Sequence, residues 1–408
     1  MIYSWHLTMK KTIIILAAFL FSEILCAQTP ADYIIRARAL TESGKAEEAV
    51  RLLSEAVRVH NDSRLYCEKA EAEIATGDLS AAIADFNTAN SIEQYSGEYG
   101  LAGVYARKGD AATSMYHLEI FMKSPFRKSE KEIMLNPAFS RIENSSDWRK
   151  FWQKPWYPEI ETRISEIEYY TSIGRIKDAQ EILSDIRTNY QGDLRLDYAS
   201  ALVSLSSGKY PEAIKSLMAL LDAHPENEQY LLLLASAQSG SSNYAGASDT
   251  YSKLLNMGIP DAGLYLKRAE CYIRTGETKR ALADIEKYLS FFPDDKDALS
   301  MAGRIESASG NNLGALRYYT ENVRKNPGDP QCYIERANAY MSSKSWEWAA
   351  NDFSMSLDLD PSNSEAWLNK GISLLNLGNN QSACRDFRQA LKLGNRKATD
   401  YISKYCIR

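Results

Sequence analysis

Small and large apolar side chains recur along this chain with a period of 34 residues and, inside each period, at the three-to-four-residue spacing of a helix face. The register runs from Gly174 through Gly208, Ser242, Gly276, Gly310, Lys344 and Gly378, with no insertion or deletion. Five residues after each of these stands an alanine: Ala179, Ala213, Ala247, Ala281, Ala315, Ala349 and Ala383. Four residues further on the side chain is large in every period: Leu183, Leu217, Tyr251, Ile285, Tyr319, Phe353 and Phe387. Seven residues before the glycine position come Ile167, Ala201, Ala235, Ala269, Gly303, Ala337 and Gly371, small in all but the first. Antiparallel helices approach closely only where the facing side chains are small, so each period predicts a helix A, a tight turn and a helix B, with the large residue filling the space beside the contact. Pro225, Pro293, Pro327 and Pro361 lie seventeen residues after their turn positions and stop helix B, because proline lacks the amide hydrogen and clashes with the preceding turn.

Upstream the same grammar is looser. Gly44, Gly77 and Gly109 mark turns, Ala49 and Ala82 follow, then Leu53, Phe86 and Leu118. The interval from Gly109 to Gly174 is close to two periods, which predicts a degenerate helical unit over residues 127–159. That stretch holds Trp148, Phe151, Trp152, Trp156 and Tyr157, bracketed by Pro137, Pro155 and Pro158. Two readings stay open: the tryptophans pack on neighbouring repeats in place of the missing pattern, or they form an exposed aromatic anchor for a partner. Beyond the last period, Ala398, Tyr401, Ile402 and Tyr405 fall at helical spacing and predict a cap over an otherwise open apolar face. The expected division is a leader over residues 1–27, three repeats over 30–126, the degenerate unit over 127–159, seven repeats over 160–394 and a capping helix in 395–408.

The succession of small, small, large and proline positions in seven consecutive units is similar to that of the tetratricopeptide repeat family, and the chain also resembles exported Gram-negative proteins of this type. The resemblance implies an all-α fold, a right-handed α-solenoid of about ten helix hairpins. It also implies a protein that holds other proteins on a concave surface lined by the A helices. Carried onto this chain, that surface comprises Glu168, Arg195, Tyr198, Gln229, Ser236, Glu270, Arg304, Gln331, Asn338 and Glu365, interleaved with Leu202, Leu266, Ile273, Ile334, Leu368 and Ile372. Trp148, Trp152 and Trp156 join it if the aromatic cluster is exposed. The chaperone-binding branch of the family grips a carboxylate with paired asparagines and cations; Asn338 and Arg304 are suitably placed, but their counterparts are missing, so tail capture of that kind is not expected. A mixed polar and apolar groove suits an extended peptide or a helix laid along the array.

Composition agrees and narrows the function. With 45% apolar and 25% charged residues in 408, the chain is neither disordered nor polytopic. A formal charge of -5, one unit more negative without Lys10, Lys11 and Glu23 of the leader, lacks the basic stripe a nucleic-acid binder needs. Lys10 and Lys11, an apolar run from Ile13 to Phe21 and a small residue at Ala27 follow signal-peptide grammar, with export and cleavage after Ala27 expected. Lipidation of Cys26 and an uncleaved anchor stay open, Glu23, Ile24 and Leu25 being poor residues to precede a lipidated cysteine. The periplasm or an outer-membrane association follows, with contact to the membrane only indirect.

No chemistry-bearing motif appears. The histidines His6, His60, His117 and His224 are dispersed, and HExxH, paired CxxC, GxSxG and Walker-type signatures are absent. The chain is read as non-enzymatic, without metal, cofactor or small-molecule substrate. Tyr33, Tyr66, Tyr105, Tyr170, Tyr265, Tyr272, Tyr333 and Tyr340 fall at expected core positions, as do Cys67, Cys271 and Cys332. Cys384 on the last helix B and Cys406 on the cap that docks over it are a disulfide candidate, the alternative being two free thiols. Two function classes result: a scaffold organising envelope proteins, or a targeting or regulatory subunit for an envelope enzyme encoded elsewhere.

Overall fold

A computed structural model describes residues 28–406. The leader, with Cys26 and the cleavage point, lies outside the described residues. Within them the chain is a succession of antiparallel helix pairs without strands. Three pairs come first, Pro30–Glu42 with Ala46–Val59, Ser63–Thr76 with Leu79–Ile92, and Glu98–Lys108 with Ala111–Met122. Short elements follow at Glu130–Met134, Pro137–Phe139 and Ser146–Trp152. Seven further pairs run from Glu159–Ser172 with Ile176–Asn189 to Ser364–Asn376 with Asn380–Lys392, and the helix Ala398–Tyr405 closes the chain.

The turn register holds at every hairpin. Gly44, Gly77, Gly109, Gly174, Gly208, Gly276, Gly310 and Gly378 all have positive φ, and so do the two exceptions, Ser242 at 64° and Lys344 at 60°. The left-handed conformation returns the chain after helix A and is cheap only for glycine. Serine and lysine adopt it because the packed helices on either side leave no other path.

The alanine column from Ala179 to Ala383 is fully buried in all seven hairpins, and the large residues four positions on are between 0% and 6% exposed. Where helix A carries glycine, an aromatic ring fills the space: a Cβ on Gly303 would stand 2.5 Å from Tyr319 Cε1, and one on Gly371 2.5 Å from Phe387 Cε1. Truncating such a ring costs about 3–5 kcal/mol in a packed interior. Of the tyrosines expected inside, Tyr33 and Tyr333 are buried. Tyr66, Tyr105, Tyr170, Tyr265, Tyr272 and Tyr340 are half-buried instead.

The tryptophan-rich stretch packs as a plug on the third hairpin. Phe139, Ile142, Trp148 and Phe151 join Met115, Leu118 and Phe121 in one buried cluster, with Trp152, Trp156 and Tyr157 against it. Trp156 Nε1 donates to the Phe151 carbonyl at 2.8 Å. Trp148 is therefore turned inward, and Trp152 and Trp156 are half-buried.

Polar side chains tie helix A to helix B inside several hairpins at a spacing of sixteen residues. Arg268 grips Asp284 at 2.6 and 2.8 Å, Arg336 grips Asp352 at 2.7 and 2.8 Å, and Lys69 meets Asp85 at 2.5 Å. In the last hairpin Lys370 Nζ stays 3.6 Å from Asp386, whose Oδ2 lacks a hydrogen-bond partner, and burial pushes the Asp386 carboxyl up.

The described residues form two compact units that divide between Ala262 and Gly263, inside the stretch that the sequence reads as one block of seven repeats. In the second unit the cap helix buries Ala398 and stacks Tyr401 on Phe387 at 5.0 Å. Cys384 and Cys406 are joined as a disulfide with Cα atoms 5.6 Å apart. Cys271 and Cys332 are buried, and burial pushes the half-buried Cys67 thiol up to about 12.

Candidate partner-binding surface

The A helices present the residues that the family resemblance assigns to a binding face, and the structure treats them differently in the two units. In the first unit they are engaged with one another. Tyr198 on Arg195–Ser206 is only 8% exposed; its hydroxyl donates to Glu168 Oε1 at 2.7 Å and accepts a hydrogen bond from the Gln229 amide. One buried phenol thus links three consecutive A helices. Burial, and secondarily the Glu168 carboxylate, hold its pKa well above the usual phenol range, so it stays a donor. Arg195 grips Asp193 through Nε and Nη2 at 2.9 and 2.6 Å and reaches Glu161 at 3.1 Å, while Arg127 binds the same Glu161 at 2.6 Å. The hydrogen bonds from Arg195 hold the Asp193 carboxyl below the usual carboxylate range.

In the second unit several of the assigned positions are open. Glu270, Arg304 and Asn338 occupy one column at 34-residue intervals on three successive A helices, and Gln331 stands nearby in the sequence register. All four are exposed, and their side chains make no hydrogen bond or ion pair among the described residues. Glu270 and Arg304 border a cavity of about 570 Å³ completed by Ile273, Arg274, Thr278, Met301, Ile305 and Ala308. Its floor is apolar and its rim carries charges of both signs, the character of a peptide-holding groove.

Two expected members do not belong to this open surface. Leu368 is 2% exposed and packs with Phe387 and Ala398, because the cap draws that helix inward. Glu365 accepts from Asn395 Nδ2 at 2.8 Å and pairs with Lys397 at 3.4 Å, which fixes it to the cap segment. Conversely, the cavity uses Arg274, Met301 and Ile305, which the family positions do not single out. Ile273 offered the signal: it is apolar and 38% exposed, where the repeats before and after carry Ser239 and Ser307.

Stacked helix hairpins with a polar face of this kind define an α-solenoid interaction module. The tetratricopeptide repeat models match residues 36–98, 198–255, 232–296 and 353–385, and the chain carries tetratricopeptide repeats. Human tetratricopeptide repeat protein 13 is 26% identical over 209 residues, 51% of this chain and 20% of that protein. Hsp70-Hsp90 organizing protein 2 of Arabidopsis thaliana is 24% identical over 203 residues, 47% of this chain and 34% of that protein. The chain therefore spans about a third or less of the length of these two curated relatives. Among solved structures, a tetratricopeptide repeat protein from Parabacteroides merdae is 20% identical, covers 61% of this chain and 99% of its own, and superposes with a TM-score of 0.42. Proteins of this family generally mediate protein–protein interaction.

Proposed function

We propose that this chain is a non-catalytic scaffold of the cell envelope that holds an extended peptide or helical segment of a protein partner on the A-helix face of its second unit. The observation that carries the reading is the column Glu270, Arg304 and Asn338, exposed and unengaged beside an apolar cavity, whereas Glu168, in the same register in the first unit, is held by Tyr198. Charged groups left unpaired on a rigid helical face give orientation and specificity to a ligand, while Ile273, Met301 and Ile305 supply apolar contact. Export is part of the proposal and is supported by the leader grammar of residues 1–27 and by the cysteine pair at the C-terminal end.

The test compares envelope crosslinking of the tagged full chain with that of a Glu270→Ala, Arg304→Ala, Asn338→Ala variant, read by mass spectrometry. Partners recovered stoichiometrically with the wild type and depleted at least tenfold with the variant are the expected result. Equal recovery from both would move the binding face elsewhere. Fractionation and N-terminal sequencing of the same material check export, with a mature chain beginning at Gln28 expected.

A further inference from the structure

The first A helix of a repeat array ordinarily leaves one face in water, yet here it is buried on two. Tyr33, Ile34 and Ala37 pack with Ala49, Leu53 and Leu65 of the first two hairpins. Ala31 and Ile35 lie on another face, in line with Arg38 at helical spacing, and they too are buried, at 8% and 4%. Arg38 Nη1 donates to the carbonyl of Pro260 at 3.2 Å while Glu68 holds its Nε at 2.9 Å. On the next A helix, Arg64 Nη1 donates to the carbonyl of Gly258 at 2.9 Å while Asp62 holds its Nε and Nη2 at 3.1 and 2.7 Å. The receiving loop is correspondingly covered. Met257 to Pro260 are half-buried and Ala262 is buried, whereas Pro225, Glu226, Pro327, Gly328, Pro361 and Ser362, the tips of other loops between hairpins, are exposed.

We infer that residues 257–262 are the docking site of the first two A helices, so that Arg38 and Arg64 close the first unit on its own last loop. Each guanidinium is pre-oriented by a carboxylate on one side and presents its remaining N–H to a backbone carbonyl on the other, a planar two-sided geometry that lysine cannot supply. The loop-facing N–H groups of Arg38 and Arg64 are thereby occupied. A second copy or a partner reaches them only by displacing the loop.

Hydrogen–deuterium exchange on the mature chain tests this with Arg38→Ala/Arg64→Ala. Both side chains are nearly half exposed, 48% and 44%, so the helices persist, which circular dichroism checks. The backbone amides of Gly258 and Ile259, hydrogen-bonded to Leu255 and Leu254, are expected to exchange at least tenfold faster. Residues 30–38 should loosen with them, and the helix Trp346–Leu359 should keep its rate. Because the substitutions lie 194 and 222 residues upstream of their acceptors, the change can reach the loop only through space. Unchanged exchange over 257–262 overturns the inference. The milder Arg64→Lys, which keeps the charge beside Asp62, is expected to give a smaller change in the same direction.

Discussion

The A-helix faces of the two units start from the same repeat grammar and differ in how far their polar side chains engage one another. In the first, Glu168, Tyr198, Gln229, Arg195 and Glu161 spend their hydrogen-bonding capacity on each other across successive helices. In the second, Glu270, Arg304, Gln331 and Asn338 keep theirs, while Arg268–Asp284 and Arg336–Asp352 tie helix to helix behind them. The difference teaches that register alone does not make a binding residue. A repeat position becomes one only when the neighbouring repeats leave it without a partner.

The comparison can be broken most forcefully behind the open face. Asp352→Ala strands the largely buried Arg336 guanidinium and is expected to lower stability by about 3 kcal/mol in urea unfolding. A loss below about 1 kcal/mol would mean that the pair does not hold that hairpin. Opening the Cys384–Cys406 link by Cys384→Ser releases a 22-residue closure, with an expected cost of about 3 kcal/mol in the loop-entropy account. A nonreducing peptide map of the exported chain should show the linkage, and free alkylation of both thiols would refute it.

On the engaged face, Tyr198→Phe removes one hydroxyl and leaves Glu168 and Gln229 without their common partner. The expected loss is about 1–2 kcal/mol, measured by thermal or denaturant melting. Lys344→Gly relieves a left-handed residue and should gain about 1 kcal/mol, a gain that vanishes if the turn relaxes. The smallest effect is expected on the open face, where Glu270→Ala should change stability by less than about 0.5 kcal/mol while reducing partner capture.

Asp386 adds a pH test. Its folded pKa is raised above the unfolded value, so the stability it contributes is present below about pH 3.8 and is lost as pH rises through the folded pKa. Asp386→Asn should therefore raise the melting temperature at neutral pH, with the advantage shrinking toward pH 4.

Much of the fold was legible because a repeat makes each position report on every other. The alanine column, the left-handed turns at Ser242 and Lys344 and the closing prolines all follow from one 34-residue register. The binding face was legible only as helix positions. That Tyr198 turns inward, that the cap draws in Leu368 and that Asn395 occupies Glu365 depend on side chains about thirty residues away in sequence, whose reach no period encodes. The tryptophan plug was undecided for the same reason: Trp148 at 8% exposure and the half-buried Trp152 needed the third hairpin beneath them.

The bond between Cys384 and Cys406 has a consequence for the order in which the array comes apart. A stack of nearest-neighbour hairpins unravels from its ends, and a covalent staple at the C-terminal end makes fraying there the slow route. With the staple intact, opening should begin away from the cap; reduced, it should begin at Tyr405. The redox state of the compartment would then select the direction of unzipping.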